Sequence, residues 1–189
     1  MTTPTEQVPE LVVSVHDLAR QPGSQRLQSI TFQAPANCGD EQVIAIDPQA
    51  PVALDLLLES VLEGILVSGS LTAEAKGQCG RCLGGIQQGV QVTFQELFSY
   101  PERALAAVEA GAEDEQTFTV VDQTIDLNGP VRDALVLALP FQPLCQSECV
   151  GLCSQCGQAL AGEPDHSHEQ VDPRWSALEE LLVTPEEES

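Results

Sequence analysis

Four cysteines fall within one short stretch, at Cys145, Cys149, Cys153 and Cys156, and two histidines, His166 and His168, follow closely behind. A further pair stands far upstream, in Cys79-Gly80-Arg81-Cys82. Two C-x2-C pairs, one C-x3-C pair and an H-x-H pair make eight soft or borderline ligands. That is enough for two tetrahedral zinc ions. Sixty-two residues lie between Cys82 and Cys145, so only tertiary folding joins the distant pair to the rest.

Two pairings are open. In the preferred one, Cys79, Cys82, Cys145 and Cys149 form a long-range site of four thiolates. Cys153, Cys156, His166 and His168 then form a local site, because the first histidine stands only ten positions beyond Cys156. The crossed pairing puts Cys153 and Cys156 with the upstream pair, since Leu152 to Gly157 looks more like a ribbon knuckle than the C-x3-C does. Cys38 has no partner nearby and reads as a stray thiol. Structural zinc is the favoured role, because four closed ligands leave no position for a substrate. A redox dithiol at Cys79 and Cys82 needs a βαβ setting and a helix N-terminus to lower its pKa. A catalytic metal held by Asp165, His166 and His168 needs an activated water and a base. No glycine-rich phosphate loop, nucleophile elbow or H-E-x-x-H appears. His16-Asp17 reads as a surface turn, and catalysis is disfavoured.

Composition narrows the setting. At 189 residues the chain suits one domain, or one with a small appendage. Aromatics make up only 4%, so leucine, valine and alanine must fill the core. Twenty-nine acids against seven bases give a net charge of -22, and the bases are scattered. A duplex nucleic-acid binder normally shows a basic face; this chain's field attracts basic proteins instead. Plain solubility is the bland explanation of the same charge. The opening residues lack a signal pattern, and no apolar run approaches a membrane span of roughly 18 residues. A soluble cytoplasmic protein is the expectation, where paired cysteines are more often ligands or redox centres than disulfides.

Along the chain, residues 1–10 read as a flexible tail, 11–144 as a β-rich core, and 145–189 as a zinc-binding segment ending in a helix. Residues 11–15, 30–34 and 43–46 read as strands, and 16–20 as one helical turn stopped by Pro22-Gly23. Residues 52–62 fit strand and helix alike. Residues 65–75 and 86–98 alternate apolar and polar on either side of Cys79 to Cys82, which predicts an antiparallel hairpin with the cysteines at its tip. Residues 101–116 are acidic and alanine-rich, helical over 103–109 or a mobile loop. Short strands are expected at 117–121 and near Ile125. Asn128-Gly129-Pro130 opens a helix with Val131, Leu135 and Ala138 inward, closed by Pro140. Asp172-Pro173 opens another, with Trp175, Leu178 and Leu182 on one face. The fold class is α+β: an antiparallel sheet or partly closed barrel, a zinc-knuckle hairpin and a few short helices.

Several of these runs resemble one family. Val15-His16-Asp17-Leu18-Ala19-Arg20 with Pro22-Gly23, Glu63 to Val67, Cys79 to Leu83, Cys149 to Gly157, and Asp172-Pro173-Arg174 before a leucine-rich helix are similar to the YceD family. That family is named for accumulation of large-subunit ribosomal RNA. The resemblance spans nearly the whole chain in order. It departs at His166-Ser167-His168, where relatives with the full C-terminal motif usually carry C-x-C; histidine can take the place of cysteine on zinc. Relatives without that last motif keep the upstream pairs, which favours the first pairing.

The resemblance implies a non-enzymatic, zinc-binding factor in ribosome biogenesis. Its partner is the large ribosomal subunit precursor, reached through a basic ribosomal protein or through rRNA near Arg81 and Arg174. No membrane and no small-molecule substrate are expected. A metal-dependent RNA-processing hydrolase is the alternative.

Overall fold

The computed structural model describes residues 11–18, 20–103, 118–163 and 165–168. Its elements in order are β1 (Val12–Ser14), β2 (Gln25–Gln33), β3 (Gly39–Asp40), β4 (Ile44–Ile46), β5 (Pro51–Ser60), β6 (Gly64–Gln78), β7 (Gly85–Ser99), β8 (Thr124–Asp126) and the helix α1 (Asn128–Ala138). Every ladder between these strands is antiparallel.

The hairpin β6–β7 is the spine. Its ladder runs from Gly64 opposite Ser99 to Gln78 opposite Gly85, which carries Cys79 and Cys82 beyond its end. Strands of 15 residues each are long enough for β6 to take two partners along its other edge. There β5 pairs with the first half, Ser60 opposite Ile65, and β4 with the last part, Ile44 opposite Gly77. Strand β2 extends the sheet beyond β5, and β3 pairs with β4. The sheet is open, not a partly closed barrel: among the described residues no ladder joins β2 to β7.

Residues 52–60 settle as a strand because both neighbours, β2 and β6, are strands that offer ladder partners. Val52, Leu54, Leu56 and Leu58 then all point to one face and are buried, while Asp55 and Leu57 point to the other. On the same inner face Leu54 lies opposite Leu71, and Leu58 opposite Val67. Full burial of each such leucine contributes about 1.5–3 kcal/mol. Gly69 lies opposite Leu56 and Phe94, and the Phe94 ring fills the space that a side chain at Gly69 would occupy.

The inner face is covered by α1 and by the β1–β8 ribbon. Pro130, Val131 and Leu135 are buried, and Ala138 is half-buried. Helix α1 has no side-chain cap on Leu127; the Asp126 carboxylate instead accepts from the Asn128 N–H at 2.9 Å. Leu139 is extended, as the residue before a proline must usually be. Residues 16–18 form turns, with Leu18 N–H donating to Val15 C=O at 3.1 Å. The strand expected near Ile125 is β8, whereas 118–121, the described part of the other expected strand, makes only isolated bridges at Thr119 and Val121. Asp122 and Gln123, between Val121 and β8, both have positive φ, the backbone of a tight two-residue hairpin turn. The tail at 1–10, residues 104–117 and the final helix opened by Asp172 lie outside the described residues, as does Arg174.

Candidate metal centres

Both C-x2-C segments fold into the same knuckle. In the first, the Cys79 N–H donates to Gly84 C=O at 2.8 Å and the Leu83 N–H donates to Cys79 C=O at 2.9 Å. In the second, the Cys153 N–H donates to Gln158 C=O at 2.8 Å and the Gly157 N–H donates to Cys153 C=O at 2.9 Å. Each closing residue is left-handed, Leu83 with φ 57° and Gly157 with φ 72°. Glycine takes that conformation freely and leucine does not. The long hairpin holds Leu83 there, whereas a single bridge between Leu152 and Ala159 frames the second knuckle.

The first knuckle meets the segment that follows α1. Gly80 N–H donates to Pro143 C=O at 2.8 Å, and the Arg81 guanidinium donates to Cys149 C=O at 2.9 Å. Gly151, at φ 80°, lets the backbone run against Arg81, where a Cβ would stand 3.1 Å from the Arg81 carbonyl oxygen. These contacts bring Cys79, Cys82, Cys145 and Cys149 together with all four sulfurs within 4.8 Å of one another. Cys79 and Cys149 are buried, Cys82 half-buried and Cys145 exposed.

The second knuckle gathers the histidines. Ligand atoms of Cys153, Cys156, His166 and His168 also lie within 4.8 Å of one another. Cys156 Sγ is 3.3 Å from His166 Nε2 and 3.2 Å from His168 Nε2. This group is the more exposed of the two, with Cys156 and His168 open to solvent. Cys153 and Cys156 therefore gather with the imidazoles and not with Cys79 and Cys82. Asp165 is exposed and belongs to neither group. Asp17 is ion-paired with Arg26 at 2.5 Å and does not partner His16. Cys38 is buried in the hydrophobic core, where desolvation raises its pKa.

The spacing fits tetrahedral coordination. Cys79 to Cys149 and Cys82 to Cys145 are each 3.8 Å between sulfurs. A tetrahedron with metal–sulfur bonds of about 2.3 Å has edges of about 3.8 Å, whereas a disulfide would close to about 2.05 Å. The electrostatics point the same way. Backbone N–H groups of Cys82, Cys145 and Arg81 converge on Cys79 and lower its pKa to about 6. Those of Cys156 and Gln155 do the same for Cys153, also to about 6. Hydrogen bonding to the Cys149 sulfur, with burial, pushes Cys145 up to about 12, and burial raises Cys149. Each knuckle thus stabilises one thiolate, and close-set sulfurs resist further ionisation unless a cation compensates them. Both groups are donor sets that could hold a metal ion.

Residues 67–182 match the model of the family described as large ribosomal RNA subunit accumulation protein YceD. The chain belongs to the YceD family. The matched region begins in β6 and takes in both clusters. An uncharacterized protein of Mycobacterium tuberculosis is 46% identical over 172 residues, covering 91% of this chain and 81% of its own. A second, from Mycobacterium leprae, is 40% identical over 183 residues, covering 97% and 82%. The protein YlbN of Bacillus subtilis is 31% identical over 121 residues, covering 62% and 66%. No solved structure matches this YceD-family chain.

Sequence reasoning missed what joins the clusters to the sheet. Arg81 was an RNA-contact candidate, yet its guanidinium bonds the backbone beside Cys149. Pro143, whose carbonyl anchors Gly80, carried no signal at all.

Proposed function

We propose that the chain is a non-enzymatic, zinc-binding factor in ribosome biogenesis that promotes accumulation or maturation of large-subunit rRNA. The observation that carries this reading is the pair of four-donor clusters in a chain of the YceD family. Thiolate and imidazole sets of this kind suit zinc, and four protein donors make a closed, structural site. Bound there, zinc would supply cross-linking and charge compensation. Residues 11–144 then form the β-rich core and 145–189 a segment fastened to it by the first cluster. The partner is the large-subunit precursor, met in the cytoplasm through a basic ribosomal protein or through rRNA. A net charge of -22 favours the protein route.

Depletion of the protein tests this reading. Large-subunit rRNA should fall relative to small-subunit rRNA, and the wild-type chain should restore the ratio where the Cys79→Ser chain does not. The pure protein should carry two zinc ions and leave rRNA intact. Unchanged RNA ratios on depletion would overturn the pathway, and chelator-sensitive cleavage of rRNA by the pure protein would favour the hydrolase.

A further inference from the structure

The outer face of the sheet, opposite the core, carries an arrangement that neither the fold nor the metal clusters use. Register places three rows across it. Gln25, Glu59, Leu66 and Leu97 form one, Leu27, Leu57, Ser68 and Gln95 the next, and Ser29, Asp55, Ser70 and Thr93 the third. On β5 this gives acid, leucine, acid: Asp55, Leu57, Glu59. Leu27 stands directly beside Leu57 and is 82% exposed. An open groove of about 600 Å³ runs over the second and third rows, with Glu59 of the first row beyond its lining.

Among the described residues the carboxylates here have neutral partners only. Asp55 accepts from the Ser29 hydroxyl at 2.5 Å, Glu59 from the Gln25 amide at 2.6 Å, and Glu74 from the Gln87 amide. The two ion pairs among the described residues, Arg20–Glu102 and Arg26–Asp17, involve none of them. Lys76 is the one base on the strand positions of this face. An apolar stripe between carboxylates that lack cations is a surface short of its complement.

The geometry points to this face as the docking surface for a cationic, apolar segment of a protein partner. It would present two basic side chains about 13 Å apart, four strand residues along, to Asp55 and Glu59, with an apolar side chain between them on Leu27 and Leu57. The inference rests on the basic-partner reading above and gives it an address. A second copy of this chain would set like charges of -22 against each other. Nucleic acid would find on this face carboxylates and a single lysine.

The test is a titration of the full-length, metal-loaded protein, followed by backbone amide NMR. The probes are a synthetic lysine–leucine peptide repeating lysine-serine-leucine-serine, which sets lysines four residues apart with leucine between them on one strand face, its counterpart with glutamate in place of lysine, polylysine, and an oligouridylate. The lysine–leucine peptide should shift amides of β2, β5 and β6 around Leu57 and bind more tightly than polylysine. Asp55→Asn with Glu59→Gln should weaken it roughly five- to tenfold, the worth of two exposed ion pairs. Glu41→Gln with Asp133→Asn, the same change in net charge away from this face, should leave it unchanged. Equal weakening by both double variants, shifts mapping elsewhere, or preference for the oligouridylate or the glutamate peptide would overturn the proposal. Self-association abolished by Leu27→Ser would also overturn it, in favour of a second copy. The rRNA ratio after depletion is independent of all these readouts, so the two readings fail separately.

Discussion

Cys79 Sγ, beyond the end of the long hairpin, lies 3.8 Å from Cys149 Sγ, seventy positions later and on the far side of α1. Both residues are buried, and Arg81, two positions after Cys79, donates to the backbone carbonyl of Cys149. A metal bound here would fasten the end of the sheet to the C-terminal segment. Binding free energy in such a site is folding free energy, on the order of ten kcal/mol. Cys79→Ser should therefore lower the thermal midpoint of the whole chain and remove one metal ion. His168→Ala should remove the other with little change in the midpoint. Calorimetry with metal analysis on both variants checks this; equal midpoint losses would contradict it.

Exposure should order metal release. The second cluster closes a local loop and has Cys156 and His168 in solvent, while Cys79 and Cys149 are shielded. A chelator should strip one ion quickly while the sheet signal in circular dichroism persists. The second should leave slowly, together with the tertiary signal. Loss of both ions in one phase would show that the clusters are coupled.

Core positions on α1 should separate cleanly. Leu135 is fully buried, whereas Leu137, two residues on, is 85% exposed. Leu135→Ala should cost about 2–5 kcal/mol, and Leu137→Ala should stay within about 0.5 kcal/mol. Denaturant melts of the two variants decide.

Much of the site was legible in local spacing, because a knuckle is a local structure: Cys79 and Cys82 stand where the alternation of β6 and β7 puts a turn. The hairpin was legible for the same reason, since period two persists through residues 65–75 and 86–98 on its two sides. Residues 52–60 were not, because Leu54, Leu57, Leu58 and Val61 also satisfy a helical stripe; the ladder partners Ile30 and Leu71 decide that case. The β1–β8 ribbon pairs Val13 with Ile125 across more than half the chain, and nothing local encodes such a contact. The open sheet depends on β4 and β5 sharing one edge of β6, a consequence of strand length that alternation does not express.

Gly69 and Phe94 form a pair whose energetics can be isolated. The ring lies over the glycine on the inner face, so a methyl group at Gly69 must displace it. Gly69→Ala should cost about 1–3 kcal/mol by overpacking, even though alanine is otherwise the better strand residue.

The buried thiol of Cys38 gives a reactivity prediction. Burial disfavours its thiolate, which raises the pKa, and the nearby positive charge of Arg132 offsets that only in part. The thiolate is the nucleophile, so alkylation of Cys38 in the folded, metal-loaded protein should be far slower than in the denatured chain at the same mildly alkaline pH. The sign for stability follows from the same shift. A pKa raised on folding means that the neutral form is the one the fold accommodates. Its contribution is fully present below the unfolded pKa of 9.0 and is lost as pH rises through the higher folded value. The alkaline arm of the stability curve should therefore be less steep in Cys38→Ala than in the parent chain. Mass spectrometry after timed iodoacetamide treatment checks the first statement, and denaturant melts across the alkaline range check the second. Fast labelling of Cys38 with the metal still bound would place it outside the core.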